Sequence, residues 1–182
     1  MHSPFVVRRG SMLFSTMFAA ALLVASVPAI AHAQAGGIAV GTAAPGAAVS
    51  TLDGAATNLS DLIGKTPVVM EFWATWCPLC KQLEPAMAEA RKKYAGKVTF
   101  VSVGVSNNQS AEKQKAYAVA HAMEGVMVFD ADNHAVKAYA APHTSFVVAV
   151  DKAGKVVYTG VGGEQNIESV VALAMSASGA MK

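Results

Sequence analysis

Between Pro67 and Tyr94 the chain switches its hydrophobic period across a Cys-x-x-Cys, and this switch constrains the fold more than any other feature. Pro67–Trp73 (PVVMEFW) is a continuous apolar, β-prone run. Such a run suits a central strand buried on both faces. Immediately afterwards Leu79, Leu83, Met87, Ala90 and Tyr94 recur at steps of four, four, three and four, which draws one apolar stripe along a helix. Pro85 interrupts that stripe and is expected to kink the helix, and Gly96 ends it. The segment between strand and helix is Trp76-Cys77-Pro78-Leu79-Cys80, so two thiols fall where a buried strand hands over to a helix.

The rest of the chain fills in around this unit. Ala48–Thr51, Asp53-Gly54 and Ala56–Leu59 read as a short hairpin through a D-G turn, and Ser60–Leu62 as a helical turn closed by Gly64. Val98–Val105 is a second strand, Ser110–Ala122 a helix capped by Ser110, and Val126–Phe129 a short strand. Asn133–Tyr139 is a short helix. Ser145–Val150 and Val156–Thr159 form a hairpin about Asp151–Gly154, and Glu164–Ser176 is a final helix. Strands alternating with helices, with a terminal antiparallel pair, predict an α/β fold around a mixed central sheet.

The N-terminus has a separate pattern. Arg8-Arg9 precedes Met12–Ile30, an uncharged apolar run, and Ala31-His32-Ala33 follows with small residues at the first and third places. That order describes a secretory signal peptide over residues 1–33, cleaved after Ala33 with Ala35 as second choice. An uncleaved anchor is the alternative, because the run approaches spanning length. The expected organisation is then signal peptide (1–33), a Gly-rich flexible segment (34–44), and one domain (45–182). Of 14 Lys+Arg, removing Arg8 and Arg9 leaves 12 against 12 Asp+Glu, so nothing in the charge points to nucleic acid as a partner. No exposed heptad is visible, and a monomer is expected.

Two cysteines are all the chain has. Export leads to a compartment where disulfides persist. A bridge between residues this close constrains almost no loop, so chemistry explains the spacing better than stapling does. A zinc site would need two more ligands, and after the signal only His121, His134 and His143 remain. Haem attachment would need histidine where Lys81 stands.

The phrase FWATWCPLC, with the upstream GTAAPGAAVSTLDGAATNLSDLIGK, resembles the thioredoxin superfamily, most closely the exported TlpA/ResA-like thiol–disulfide oxidoreductases, over about Gly41–Val171. The resemblance implies a thioredoxin-like three-layer fold with a mixed β-sheet flanked by helices and an N-terminal β-hairpin extension, and no cofactor. It makes Cys77 and Cys80 a redox disulfide. At a helix N-terminus the Cys77 sulfur, facing outward, is favoured as thiolate. It attacks a substrate disulfide, and the shielded Cys80 then resolves the mixed disulfide. Glu71, six residues before Cys77, takes the place of the family's buried acid and is implied as general acid–base for Cys80, through a water. Some relatives place an acid three residues after the second cysteine, which here is Leu83. The neighbouring Glu84 reads as a solvated surface charge. Trp76, Pro78, Leu79, Ala141 and Pro142 are implied to contact substrate, with Pro142 as a cis-proline beside the cysteines. Ala141–Phe146 departs from the family's pattern by one extra residue, and Pro78-Leu79 is not the common dipeptide.

The resemblance further implies reduction of disulfides in exported proteins, such as apocytochrome thiols during cytochrome c maturation, with electrons from a membrane thiol reductase. Disulfide formation or isomerisation is one alternative. Another is copper handling through Cys77, Cys80 and His143, since thiolates select Cu(I). The methionines, scattered through core-like places such as Met87, Met123 and Met127, do not form the Met-rich loop that copper handling would favour.

Overall fold

A computed structural model describes residues 1–2 and 36–176; apart from its first two residues, the signal peptide read over 1–33, with its cleavage site, lies outside the described residues. The apolar run forms a strand, Val68–Trp73, with all six residues buried. It is the third of seven, after β1 (Ala48–Thr51) and β2 (Ala56–Asn58), and is therefore β3. It runs beside β4 (Thr99–Val105) in parallel and β6 (Phe146–Val150) antiparallel. The full order is β2-β1-β5-β4-β3-β6-β7, with β5 at Val126–Asp130 and β7 at Val156–Val161. The β4–β5 pair is parallel, whereas β1–β2, β1–β5 and β6–β7 are antiparallel. This is the mixed sheet with an N-terminal hairpin that the sequence predicts.

Alternation along β3 assigns its side chains to opposite faces. Val68, Met70 and Phe72 join one core with Tyr139 and Phe146, under a short helix α3 (His134–Ala138). Here the Tyr139 hydroxyl donates to Pro45 O at 2.8 Å, and Phe72 meets both Tyr139 and Phe146 with ring centroids 5.7 Å apart. Val69 joins the other core with Leu83 and Met87 of α1 (Pro78–Lys93) and Val170 and Val171 of α4 (Ile167–Ser176). Glu71, two residues on from Val69, is thereby aimed at the underside of α1. The remaining helix, α2 (Ala111–Ala120), begins at Ser110, whose hydroxyl caps Lys113 N. The helix α1 runs continuously through Pro85. Among the described residues no helix is long and apolar enough to cross a membrane.

The segment expected to be flexible, 34–44, is tied down over 38–44. Ile38 N donates to Tyr139 O, Gly41 N to Val156 O and Ala44 N to Gly154 O, and Val156 N returns a bond to Thr42 O. Its small residues let the backbone lie close along the β7 edge, where Ala43 bridges Lys155.

One close approach in β4 sets a stability prediction. Gly104 pairs with Trp73, and a Cβ there would overlap the carboxamide of the fully buried Gln114. Gly104→Ala is expected to lower stability by about 1–3 kcal/mol, as overpacking does. Urea unfolding checks it: the midpoint should fall while the slope stays constant. An unchanged midpoint would mean that Gln114 swings aside at no cost.

Candidate active site

Cys77 is the N-cap of α1, and Pro78 occupies the first helical position, where a missing N–H costs nothing. The Cys77 sulfur accepts from Cys80 N at 3.1 Å, so one of the helix's free donors already points at it. No acidic residue sits in the first turn to oppose that field. Cys77 and Cys80 are joined as a disulfide, with Cα atoms 5.3 Å apart. One expectation is corrected in this oxidised state. The Cys77 sulfur does not face outward: Cys77 is 1% exposed and Cys80 5%. Trp76 and Leu79, each 44% exposed, stand on either side of Cys77 in sequence.

The loop leading to Cys77 is held from the β4–α2 connection. Thr75 N donates to Gln109 Oε1 at 3.0 Å, and the Gln109 carboxamide donates in turn to Val105 O. The Trp76 indole donates to Asn107 O at 2.8 Å, which fixes the ring while leaving its face open. Beside it lies a surface groove of about 610 Å³ lined by Trp76, Asn107, Ala141, Pro142, His143 and Thr144. The structure therefore brings Ala141 and Pro142 to Trp76, while Pro78 and Leu79 are exposed at the head of α1.

Pro142 is not cis: among the described residues no peptide bond is. The chain turns instead through left-handed residues on either side, Ala140 (φ 45°) and Ser145 (φ 62°). Ser145 is locked by its N–H to Phe72 O at 2.7 Å and by its hydroxyl accepting from Gly162 N. The extra residue in Ala141–Phe146 gives the loop enough length to reach β6 with the trans bond that proline itself prefers. His143 opens onto the groove, and no cluster of three metal-ligating side chains exists among the described residues.

Behind the cysteines, Glu71 is 4% exposed and lines a cavity of about 10 Å³ with Trp73, Cys80, Glu84, Arg91 and Tyr117. That is on the order of one water molecule's space. Glu71 Oε1 and the Trp73 indole N–H find no protein partner there. Burial pushes the Glu71 carboxyl up to about 7; the Arg91 guanidinium opposes the rise and Glu84 adds to it. Arg91 is itself buried and donates to Ser102 Oγ at 2.9 Å. It follows Ala90 of the apolar stripe, and no local signal in the sequence marked it as buried.

Glu84 is not the solvated charge expected of it. Its side chain is only 23% exposed, with Oε2 accepting from Tyr117 Oη and Oε1 bonded to His121 Nδ1, both at 2.9 Å. Tyr117 also packs against Trp73, with ring centroids 5.6 Å apart. The i, i+4 spacing of Tyr117 on α2 and His121 at its C-cap was the sequence signal, but nothing local tied that face to α1.

A mixed sheet of this order, carrying a Cys-x-x-Cys at the head of the helix that follows its central strand, is a thioredoxin-like fold with a candidate redox pair. The chain belongs to the Redoxin family, which it matches over residues 39–173. It is 42% identical over 78 residues to thioredoxin-like protein YneN of Bacillus subtilis, covering 43% of this chain and 45% of YneN. It is 29% identical over 132 residues to thiol-disulfide oxidoreductase ResA of Bacillus thuringiensis, covering 72% of this chain and 74% of ResA. The chain thus aligns with less than half of YneN. The crystal structure of a thiol:disulfide interchange protein of the thioredoxin family from Chlorobium tepidum TLS shares the fold, with a TM-score of 0.62 at 24% identity over 75% of this chain and 98% of that one.

Proposed function

We propose that this protein is exported to the periplasm and there reduces disulfides of other exported proteins, with Cys77 as nucleophile. The observation that carries the reading is the pairing of a sulfur capped by a helix N-terminus with a buried acid titrating near neutrality behind the second cysteine. In the reduced protein, the Cys77 thiolate attacks one sulfur of a substrate disulfide and the other sulfur leaves as thiolate, taking a proton from solvent. Glu71, as the carboxylate, removes the proton of Cys80 across the small cavity. The Cys80 thiolate then attacks the Cys77 sulfur. The Cys77–substrate bond breaks, the second substrate thiolate leaves and is protonated, and the Cys77–Cys80 bridge forms. An external dithiol returns two electrons; a membrane thiol reductase fits that role.

Trp76, Pro78 and Leu79 form the docking rim, and an extended substrate segment lies in the groove against Ala141 and Pro142. The basic, apolar and A-x-A order of residues 1–33 supports export. Maturation of c-type cytochromes, whose thiols must be reduced before haem attachment, is the use this reading favours.

Tagged Cys80→Ser protein, expressed in cells with its own leader, tests the proposal. It is expected to accumulate as mixed disulfides with exported proteins, released by dithiothreitol and identified by mass spectrometry. If no such adducts form while the protein is folded and abundant, Cys77 is not attacking protein disulfides there.

A further inference from the structure

The loop that carries Pro142 is held at both ends by a piece of chain from far upstream, Gly36-Gly37-Ile38. At the entry end Ile38 N donates to Tyr139 O at 2.9 Å, and the Ile38 side chain packs into the core that holds Phe72 and Tyr139. At the exit end the Gly37 backbone lies on the ring of the fully buried Phe146. A Cβ there would come within 2.3 Å of Phe146 Cζ, and Gly37 has φ at 91°, so glycine is the residue that fits. Between these two anchors a Cβ on Gly36 would stand 3.6 Å from Pro142 Cγ, so the backbone of Gly36 runs along the proline ring. The loop needs such support. It bends at Ala140 (φ 45°) and Ser145 (φ 62°), and non-glycine residues persist in that conformation only where their surroundings over-determine it. Ala140 N and Ala141 N are bonded back to Lys137 O and Val136 O of α3, and Ser145 to Phe72 and Gly162. Pro142, His143 and Thr144 between them form one wall of the groove beside Trp76, and Gly36 and Gly37 do not line that groove.

We propose that Gly36, Gly37 and Ile38 form a buttress that positions the Pro142 wall of the groove and thereby sets how well the site takes an extended peptide segment. The inference rests on the groove being the face that binds substrate. All three are positioning residues: they support the wall from the side away from the groove and touch neither sulfur. The exchange chemistry belongs to Cys77, Cys80 and Glu71, so a disulfide too small to lie along the groove does not need the buttress. A peptide disulfide, whose flanking residues must rest on the wall, does.

Two variants of the protein, expressed with its own leader, test this. Gly37→Ala sets a methyl against the Phe146 ring, and Ile38→Pro removes the N–H that bonds Tyr139 O. Each is reduced and mixed with bis(2-hydroxyethyl) disulfide or with an extended peptide carrying a disulfide, and the reaction is followed by stopped-flow Trp fluorescence. Both are expected to reduce the small disulfide at the wild-type rate. Both should need about tenfold more peptide for half-saturation at an unchanged limiting rate, because a displaced wall weakens binding and leaves the chemistry alone. Wild-type half-saturation by the peptide in Ile38→Pro overturns the buttress, whatever Gly37→Ala does. Equal losses on both disulfides overturn it as well, since the segment then holds up the whole domain rather than the wall. The wild-type protein separates the two ideas. If it takes the peptide no better than the small disulfide, the groove reading falls and the buttress with it; if it prefers the peptide and Ile38→Pro keeps that preference, only the buttress falls.

Discussion

Cys77→Ser is expected to lose disulfide exchange to background, whereas Cys80→Ser retains its first chemical step and stops at the mixed disulfide. The asymmetry follows from the ends of α1. Cys77 receives the Cys80 N–H and the field of the helix terminus, and both favour the anion that attacks. Cys80 lies one turn in, against the Glu71 cavity, and can act only on a sulfur already brought to it. Serine has no comparable nucleophilicity at neutral pH, so nothing replaces the lost thiolate. Removing this bridge opens almost no loop, so both variants should unfold near the oxidised wild type's midpoint. Quantifying thiol release from a peptide disulfide, with non-reducing gels, checks both. If the two serine variants trap equally, the positions do not differ in role.

Glu71→Gln should show two large effects of opposite sign. Removal of a positioned base slows resolution by about 10²–10⁴-fold. Stability moves the other way above neutrality. The Glu71 carboxyl titrates at about 7 in the fold against 4.5 for an ordinary glutamate, so between those values the native state binds the extra proton. Stability is therefore fully present below about pH 4.5 and declines as pH rises through 7, because the native state then holds a buried charge. The difference amounts to about 3 kcal/mol at 1.36 kcal/mol per pKa unit. Glutamine is neutral throughout, and its carbonyl has the unpartnered Trp73 indole N–H in the same cavity. At pH 8 the variant should outlast wild type in urea, and at pH 4.5 the two should coincide. Parallel curves across this range would mean that the Glu71 carboxyl titrates alike in the folded and unfolded chain.

Much of this site was legible because its determinants are local. The switch from a strand period to a helix period across Trp76–Cys80 placed both sulfurs, and the single acid inside PVVMEFW marked Glu71. The structure departs from sequence expectation where long-range packing decides. Glu84 belongs to a network that exists only because Tyr117 of α2 and His121 at its C-cap lie against α1. Arg91 sits among three basic residues in the last turn of α1, yet its guanidinium turns inward to Ser102 on β4. Pro142 sat at a suggestive place, and the extra residue after it, with two positive-φ turns, gave the loop another solution. Cys77, expected to face outward from its place at a helix start, is buried in the bridged state.

The direction of electron flow is the centre of the account, and the reduction potential of the Cys77–Cys80 couple tests it most directly. Equilibration of the mature protein with defined dithiothreitol buffers, read by Trp76 fluorescence and thiol alkylation, gives the value. A protein that reduces others should lie near thioredoxin, at roughly −270 mV. A value near roughly −120 mV, where strong disulfide donors lie, would contradict the reductant and turn the same site into one that forms disulfides.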